Sequence, residues 1–230
     1  MYEYIGNEVL NERRQMLAKS TMIRTYLYMF GVTILSGISA CIGFSSGYYE
    51  TLMNGPAWWI FFALELGVIF LCHHAAAKQN APLAGVMLAL YGVINGLTLS
   101  YVFAMFSLSS ILVVFFIAAA MFLGLAIAGT VTKRDLSTIG TIGIMGLIGV
   151  ILLSIVNIFV RSAALDLSLA VLALALFIGI TAYDAQKIRM LSQQATERTV
   201  TAIAIIGALE LYLDFINIFL HLLHLFGSDD

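Results

Sequence analysis

Five polar residues near the C-terminal end of the chain, Glu210, Asp214, Asn217, His221 and His224, recur at steps of four, three, four and three within an apolar run. At about 100° per residue these steps confine them to an arc of roughly 80° on one helix face, over a length of about 20 Å. Gly207 opens the same stripe. Two carboxylates, an amide and two imidazoles on one face suit either a hard cation or a proton. Ionised carboxylates coordinate Ca²⁺, which takes oxygen ligands and tolerates irregular geometry. Desolvation and a nearby like charge both raise a carboxyl pKa, so the same groups can neutralise themselves by protonation. Two acids close together titrate as a coupled pair. Two further acids stand in apolar surroundings: Glu65 in FFALELGVIF and Asp184 in ITAYDAQKI.

The surroundings fix the solvent. Of 230 residues, 61% are hydrophobic and 10% charged, with a mean hydropathy of +1.00. Soluble domains hold about a quarter of their residues as charges, so this chain is a membrane protein. A spanning helix needs roughly 20 mostly apolar residues. Seven stretches meet that length, at approximately 24–45, 57–74, 82–106, 108–130, 138–160, 164–186 and 200–226. None alternates with the period of a barrel strand, and a backbone in lipid must satisfy its own hydrogen bonds, so the spans are helices. The expected fold is an all-α membrane protein of seven transmembrane helices. Residues 1–23, with Glu12, Arg13, Arg14 and Lys19, lack the apolar core of a cleaved signal and read as a cytoplasmic lead. Residues 24–226 form the membrane domain, and 227–230, GSDD, a short tail.

Ten of the eleven Lys and Arg residues fall in the N-terminal lead and in alternate connections, and Arg161 alone lies on the other side. The positive-inside rule then puts the N-terminus in the cytoplasm and, after seven spans, the C-terminus outside. The expected location is the plasma (inner) membrane of a prokaryote. A net charge of −2 leaves no basic excess for nucleic acid. Cys41 and Cys72, each in an apolar run, suggest neither a disulfide framework nor a metal motif. Gly31, Gly37, Gly124, Gly129, Gly140, Gly143, Gly146 and Gly149 are expected to let helix backbones approach closely.

An ionisable group at membrane depth costs roughly 3 kcal/mol, so Glu65, Asp184, Glu210 and Asp214 are functional candidates by default. Plainer roles stand beside the functional ones. His221 and His224 also suit the outer interface, Asn217 a tie between helices, Asp184 a solvated helix end, and Glu65 a hydroxyl partner on a neighbouring helix. Asp214 is the least easily explained this way, because it lies deep in the last span with no basic residue at its level.

The segments ITAYDAQKI at 180–188 and LELYLDFINIFLHLL at 209–223, with TKRDLS at 132–137 and VNIF at 156–159, resemble the signatures of the Bax inhibitor family, in its bacterial form. The resemblance covers essentially the whole chain. It implies six helices around a central seventh. It also implies that Asp184 and Asp214 form a hydrogen-bonded di-aspartyl pH sensor and transient Ca²⁺ ligands, in a protein that lets Ca²⁺ leak across its membrane under proton control. Glu65, Glu210, Asn217 and His221 are then pathway or ion-binding candidates, with calcium and protons as the transported and sensed ions and no cofactor. Counting along the spans puts Asp184 near the inner boundary and Asp214 about 18 Å beyond Ala202. The two meet only if the sixth helix runs deeper than residue 186 or the seventh begins well inside the cytoplasm.

The chain departs from that pattern at CHHAAAK, 72–78, where bacterial relatives carry arginines near the inner end of the second span. His73 and His74 stand there as candidate sensor partners, and histidine titrates between about pH 5 and 8. A membrane adaptor that modulates a partner protease or stress-response complex is the alternative reading. Two intramembrane aspartates also bring intramembrane proteolysis to mind. The second acid here lies in LYLD rather than the Gly-x-Gly-Asp such proteases share, so no enzyme activity is expected.

Overall fold

A computed structural model describes the backbone of residues 2–53 and 57–228 and the side chains of 11–52 and 57–228. Pro56, Asp229 and Asp230 lie outside the described residues. All regular structure among them is helical: α1 Tyr2–Ser45, α2 Tyr48–Met53, α3 Ala57–Ala77, α4 Ala81–Leu99, α5 Val102–Met105, α6 Leu108–Val131, α7 Ser137–Val160, α8 Ala163–Gln193 and α9 Val200–Phe226. Seven helical segments are long and apolar enough to cross a membrane: Asn11–Ser45, Ala57–Ala77, Ala81–Met105, Leu108–Val131, Ser137–Val160, Ala163–Gln193 and Val200–Phe226. In lipid the helix is the one open-ended way for a segment to pair every backbone N–H and C=O.

The helix ends follow local chemistry. The Asn80 side chain accepts from Leu83 N at 3.2 Å, and Pro82 sits in the first turn of α4, where its missing N–H costs nothing. Ser107 caps α6 through Ser110 N at 3.3 Å. Arg161 closes α7 in a left-handed conformation, φ 54°. Between α8 and α9 the Thr199 hydroxyl accepts from Thr196 N at 2.9 Å, and Val200 N bonds to Thr196 O at the same distance.

Three boundaries differ from the sequence expectation. From Tyr2 on, the lead expected at 1–23 is continuous helix with the first span, because its polar residues are helix formers and no proline interrupts them. The third span is interrupted at Ser100 and Tyr101, where Ser100 N turns back to Leu97 O at 3.2 Å. The sixth helix runs to Gln193 rather than 186. Its charged last turns, with Lys187 and Arg189, end the apolar run without ending the helix.

The chain packs as two compact units, Met1–Ala104 with Ile188–Tyr212, and Met105–Lys187 with Leu213–Asp230. In the first, α1 and α4 approach through Gly92, where a Cβ would meet the Val32 side chain, and Gly96, where it would meet the Ser36 carbonyl. In the second, Gly140, Gly143 and Gly146 of α7 receive Tyr183, Ile180 and Leu176 of α8, a ladder that only side-chain-free positions allow. Gly129 likewise lies against the Ala182 backbone. The expectation of close packing therefore holds at these positions. It is corrected at Gly31, Gly37, Gly124 and Gly149, where a Cβ would meet nothing within 4 Å. Burial is uneven: 61% of the most apolar window of α9 is buried against 11% of that of α7.

Candidate functional site

The four acids expected at membrane depth fall in two settings. In the first unit, Glu65 of α3 is half-buried, and its Oε1 accepts from the Asn95 amide of α4 at 3.3 Å. Asn95 Oδ1 lies 2.7 Å from the Tyr212 hydroxyl of α9, which lies 2.8 Å from the Ser36 hydroxyl of α1. An amide oxygen only accepts, so the phenolic proton belongs to Asn95 and Ser36 donates in turn to the tyrosine oxygen. The resulting chain runs Ser36 to Tyr212 to Asn95 to Glu65, each group donating toward the carboxylate. Ser36, Asn95 and Tyr212 are all buried. In such surroundings a satisfied chain rigidifies its helices, whereas a missing member leaves an exposed dipole in a low-dielectric interior.

The second unit holds Asp184 of α8 and Asp214 of α9. Asp214 is 3% exposed. Asp184, with a side chain 14% exposed, lies 3.9 Å from the Lys187 ammonium on its own helix. One turn is thus enough to supply a cation beside this acid. Two residues on, the buried Gln186 accepts from Leu136 N at 2.9 Å and donates to Arg134 O at 2.8 Å. That amide fixes the C-terminal part of α8 to the connection preceding α7. The longer α8 also changes the levels of the two acids. Asp184 stands nine residues, about 14 Å, before Gln193, and Asp214 fourteen residues, about 21 Å, after Val200. Counted along the helices from ends at 186 and 200 the two acids differ by about 18 Å, and counted from the observed ends by about 7 Å.

The remaining stripe residues lie on the more accessible line of α9. Glu210, Asn217 and His221 are half-buried and His224 is exposed, while the apolar neighbours Leu209, Leu211, Ile218 and Leu223 are fully buried. Asn217 donates to Leu213 O at 2.8 Å, within its own helix. The His221 ring lies 5.9 Å from that of Phe177 on α8. His224 Nε2 lies 3.1 Å from the Asp166 carboxylate near the start of α8, a pair solvated at the end of the unit. On α3, both His73 and His74 are exposed, and His73 Nδ1 bonds to Ile69 O of its own helix at 3.0 Å. Among the described residues no three His, Cys, Asp or Glu side chains gather into a metal-binding group.

Asn95, Tyr212, Ser36 and Gln186 were not singled out by the reasoning from charge. Their signal in the sequence is the same rule applied to neutral groups: an amide or phenol at membrane depth also needs a partner.

The sequence pattern of the family described as inhibitor of apoptosis-promoting Bax1 matches residues 18–230. The chain belongs to the Bax inhibitor family. Relatives of this Bax inhibitor family protein span bacteria. An uncharacterized protein of Borreliella burgdorferi is 31% identical over 228 residues, 96% of this chain and 97% of that one. The inner membrane protein YbhL of Escherichia coli is 38% identical over 167 residues, 71% of each chain. An uncharacterized protein of Deinococcus radiodurans is 33% identical over 220 residues, 92% of each. The Bax inhibitor pattern therefore covers both units, and Asp184 and Asp214 fall within it.

Proposed function

We propose that this protein is a pH-sensitive calcium leak channel or carrier of a prokaryotic inner membrane, gated by protonation of Asp184 and Asp214. The observation that carries the reading is the burial of the Asp214 carboxyl on the most buried spanning helix, in the same compact unit as Asp184. A carboxylate there has few uses other than binding a cation or a proton. The accessible line of α9 through Glu210, Asn217 and His221 supports a polar route past it, and Glu65 is a further acid at membrane depth.

In the ionised state the two carboxylates attract a divalent ion, with carbonyl and water oxygens completing its shell. In the protonated state that attraction is gone. Calcium is cargo here, held transiently. The N-terminus faces the cytoplasm, no cofactor takes part and no covalent chemistry is catalysed.

The test is Ca²⁺ flux into proteoliposomes of the purified chain across pH 5 to 8. Wild type is expected to conduct with a marked pH dependence. Asp184→Asn and Asp214→Asn each are expected to flatten the profile. An unchanged profile in both variants removes the di-aspartyl mechanism, and absence of flux in wild type removes transport itself, leaving an adaptor.

A further inference from the structure

Arg13 and Arg14 lie near the start of α1, and Arg198 lies far away in sequence, in the six-residue connection 194–199 between α8 and α9. All three line one open cavity of about 750 Å³ in the first unit, together with Gln193, Thr196 and Glu197. Its lining thus holds three arginines and a single acid, Glu197. Arg13 is paired with Glu197, both side chains more than half exposed, so one guanidinium already addresses an oxyanion at the rim. A bias of basic residues toward one membrane side requires no such convergence. The Lys133–Arg134 connection, also basic, is instead held through its backbone by Gln186.

We propose that this cavity binds a phosphate-bearing anion, either a phospholipid headgroup or a soluble organic phosphate. Guanidinium groups bind phosphate through paired, parallel N–H bonds, so a phosphate group competes with the single carboxylate that now engages Arg13. Gln193, whose amide can add a neutral donor, lines the cavity beside the charges. The volume falls in the range of small-molecule sites, about 300–1,000 Å³, and exceeds what a bare ion fills. An occupant would tie the start of α1 to the segment that leads into α9. The site is independent of calcium transport and stands whether or not the protein conducts.

The experiment uses the full chain and reads its thermal unfolding midpoint. One arm titrates inorganic pyrophosphate at constant ionic strength into protein in neutral detergent. The other compares nanodiscs of phosphatidylcholine with nanodiscs containing phosphatidylglycerol. Wild type is expected to gain about 3 °C in at least one arm, and the responding arm identifies the source of the phosphate. Arg13→Gln with Arg198→Gln is expected to abolish the gain. Arg14→Gln, which leaves the Arg13–Glu197 pair in place, is expected to reduce it by half or more. Lys133→Gln with Arg134→Gln, removing the same charge from the other unit, is expected to retain it. No gain in either arm for wild type overturns the proposal whatever the variants do. So does a gain that the control pair loses equally, or one that all variants keep, since either reports general surface charge.

Discussion

The Tyr212 hydroxyl of α9 reaches the Asn95 side-chain oxygen of α4 at 2.7 Å, and through the Asn95 amide it is one step removed from the Glu65 carboxylate of α3. A tyrosine two residues before the deepest acid of the last span thus ends in a different carboxylate from Asp214. With Ser36 on α1 completing the chain, four helices of the first unit share one directed set of hydrogen bonds.

Tyr212→Phe removes the one proton that satisfies Asn95 and the acceptor that satisfies Ser36, while keeping the ring and its edge-on packing against Tyr91. Leaving a buried polar group unsatisfied costs about 1–3 kcal/mol. The variant is expected to unfold at lower temperature in detergent. Asn95→Leu on top of it, which removes the orphaned amide, is expected to cost less than the sum of the two single changes; strict additivity would show that the three groups do not act as one chain.

Gly124 and Gly129, five residues apart on α6, look equivalent in sequence and are opposite in space. A Cβ at Gly129 collides with the Ala182 backbone, which cannot move aside as a flexible side chain would, whereas one at Gly124 meets nothing within 4 Å. Gly129→Ala is expected to destabilise by about 1–3 kcal/mol. Gly124→Ala is expected to be neutral or to gain up to about 1 kcal/mol of helix propensity. Paired thermal melts check both, and equal effects would contradict the seam.

Asp135, in the connection before α7, accepts from the Ser137 hydroxyl at 2.6 Å and from Ser137 N at 2.9 Å. The side-chain bond first, and then the backbone bond, hold its carboxyl below the ordinary aspartate range. A folded-state pKa below the unfolded value of about 4 contributes stability that is present above that pH and lost as pH falls through the lowered value. Ser137→Ala is expected to bring the Asp135 titration back toward the ordinary range. The carboxyl ¹³C shift of labelled protein, followed from pH 6 to 2, reads it; an unmoved midpoint would assign the lowering to something other than Ser137.

His73→Arg with His74→Arg replaces two imidazoles with permanently charged guanidinium groups. If either histidine partners the proposed sensor, the Ca²⁺ flux profile in liposomes shifts along the pH axis. Both rings are exposed and His73 bonds within its own helix. Superimposable profiles would therefore assign the pair to the surface.

The amino-acid sequence alone determined the solvent, the number of spans and which of them carry an acid. Hydrophobic run length answers directly to bilayer thickness, and a charge within such a run is visible without any partner. The family was legible for the same reason, its motifs being contiguous. Tertiary structure alone decided which neutral groups complete the Glu65 chain, because Ser36, Asn95 and Tyr212 are joined only by packing across four helices. It also decided which glycines are seams, since a missing side chain has meaning only where another backbone or side chain arrives to fill the space. The depth of Asp184 followed the same division: the apolar run ends near residue 186, but hydrogen bonding carries α8 to Gln193 because the turns that leave the lipid are still stable as helix.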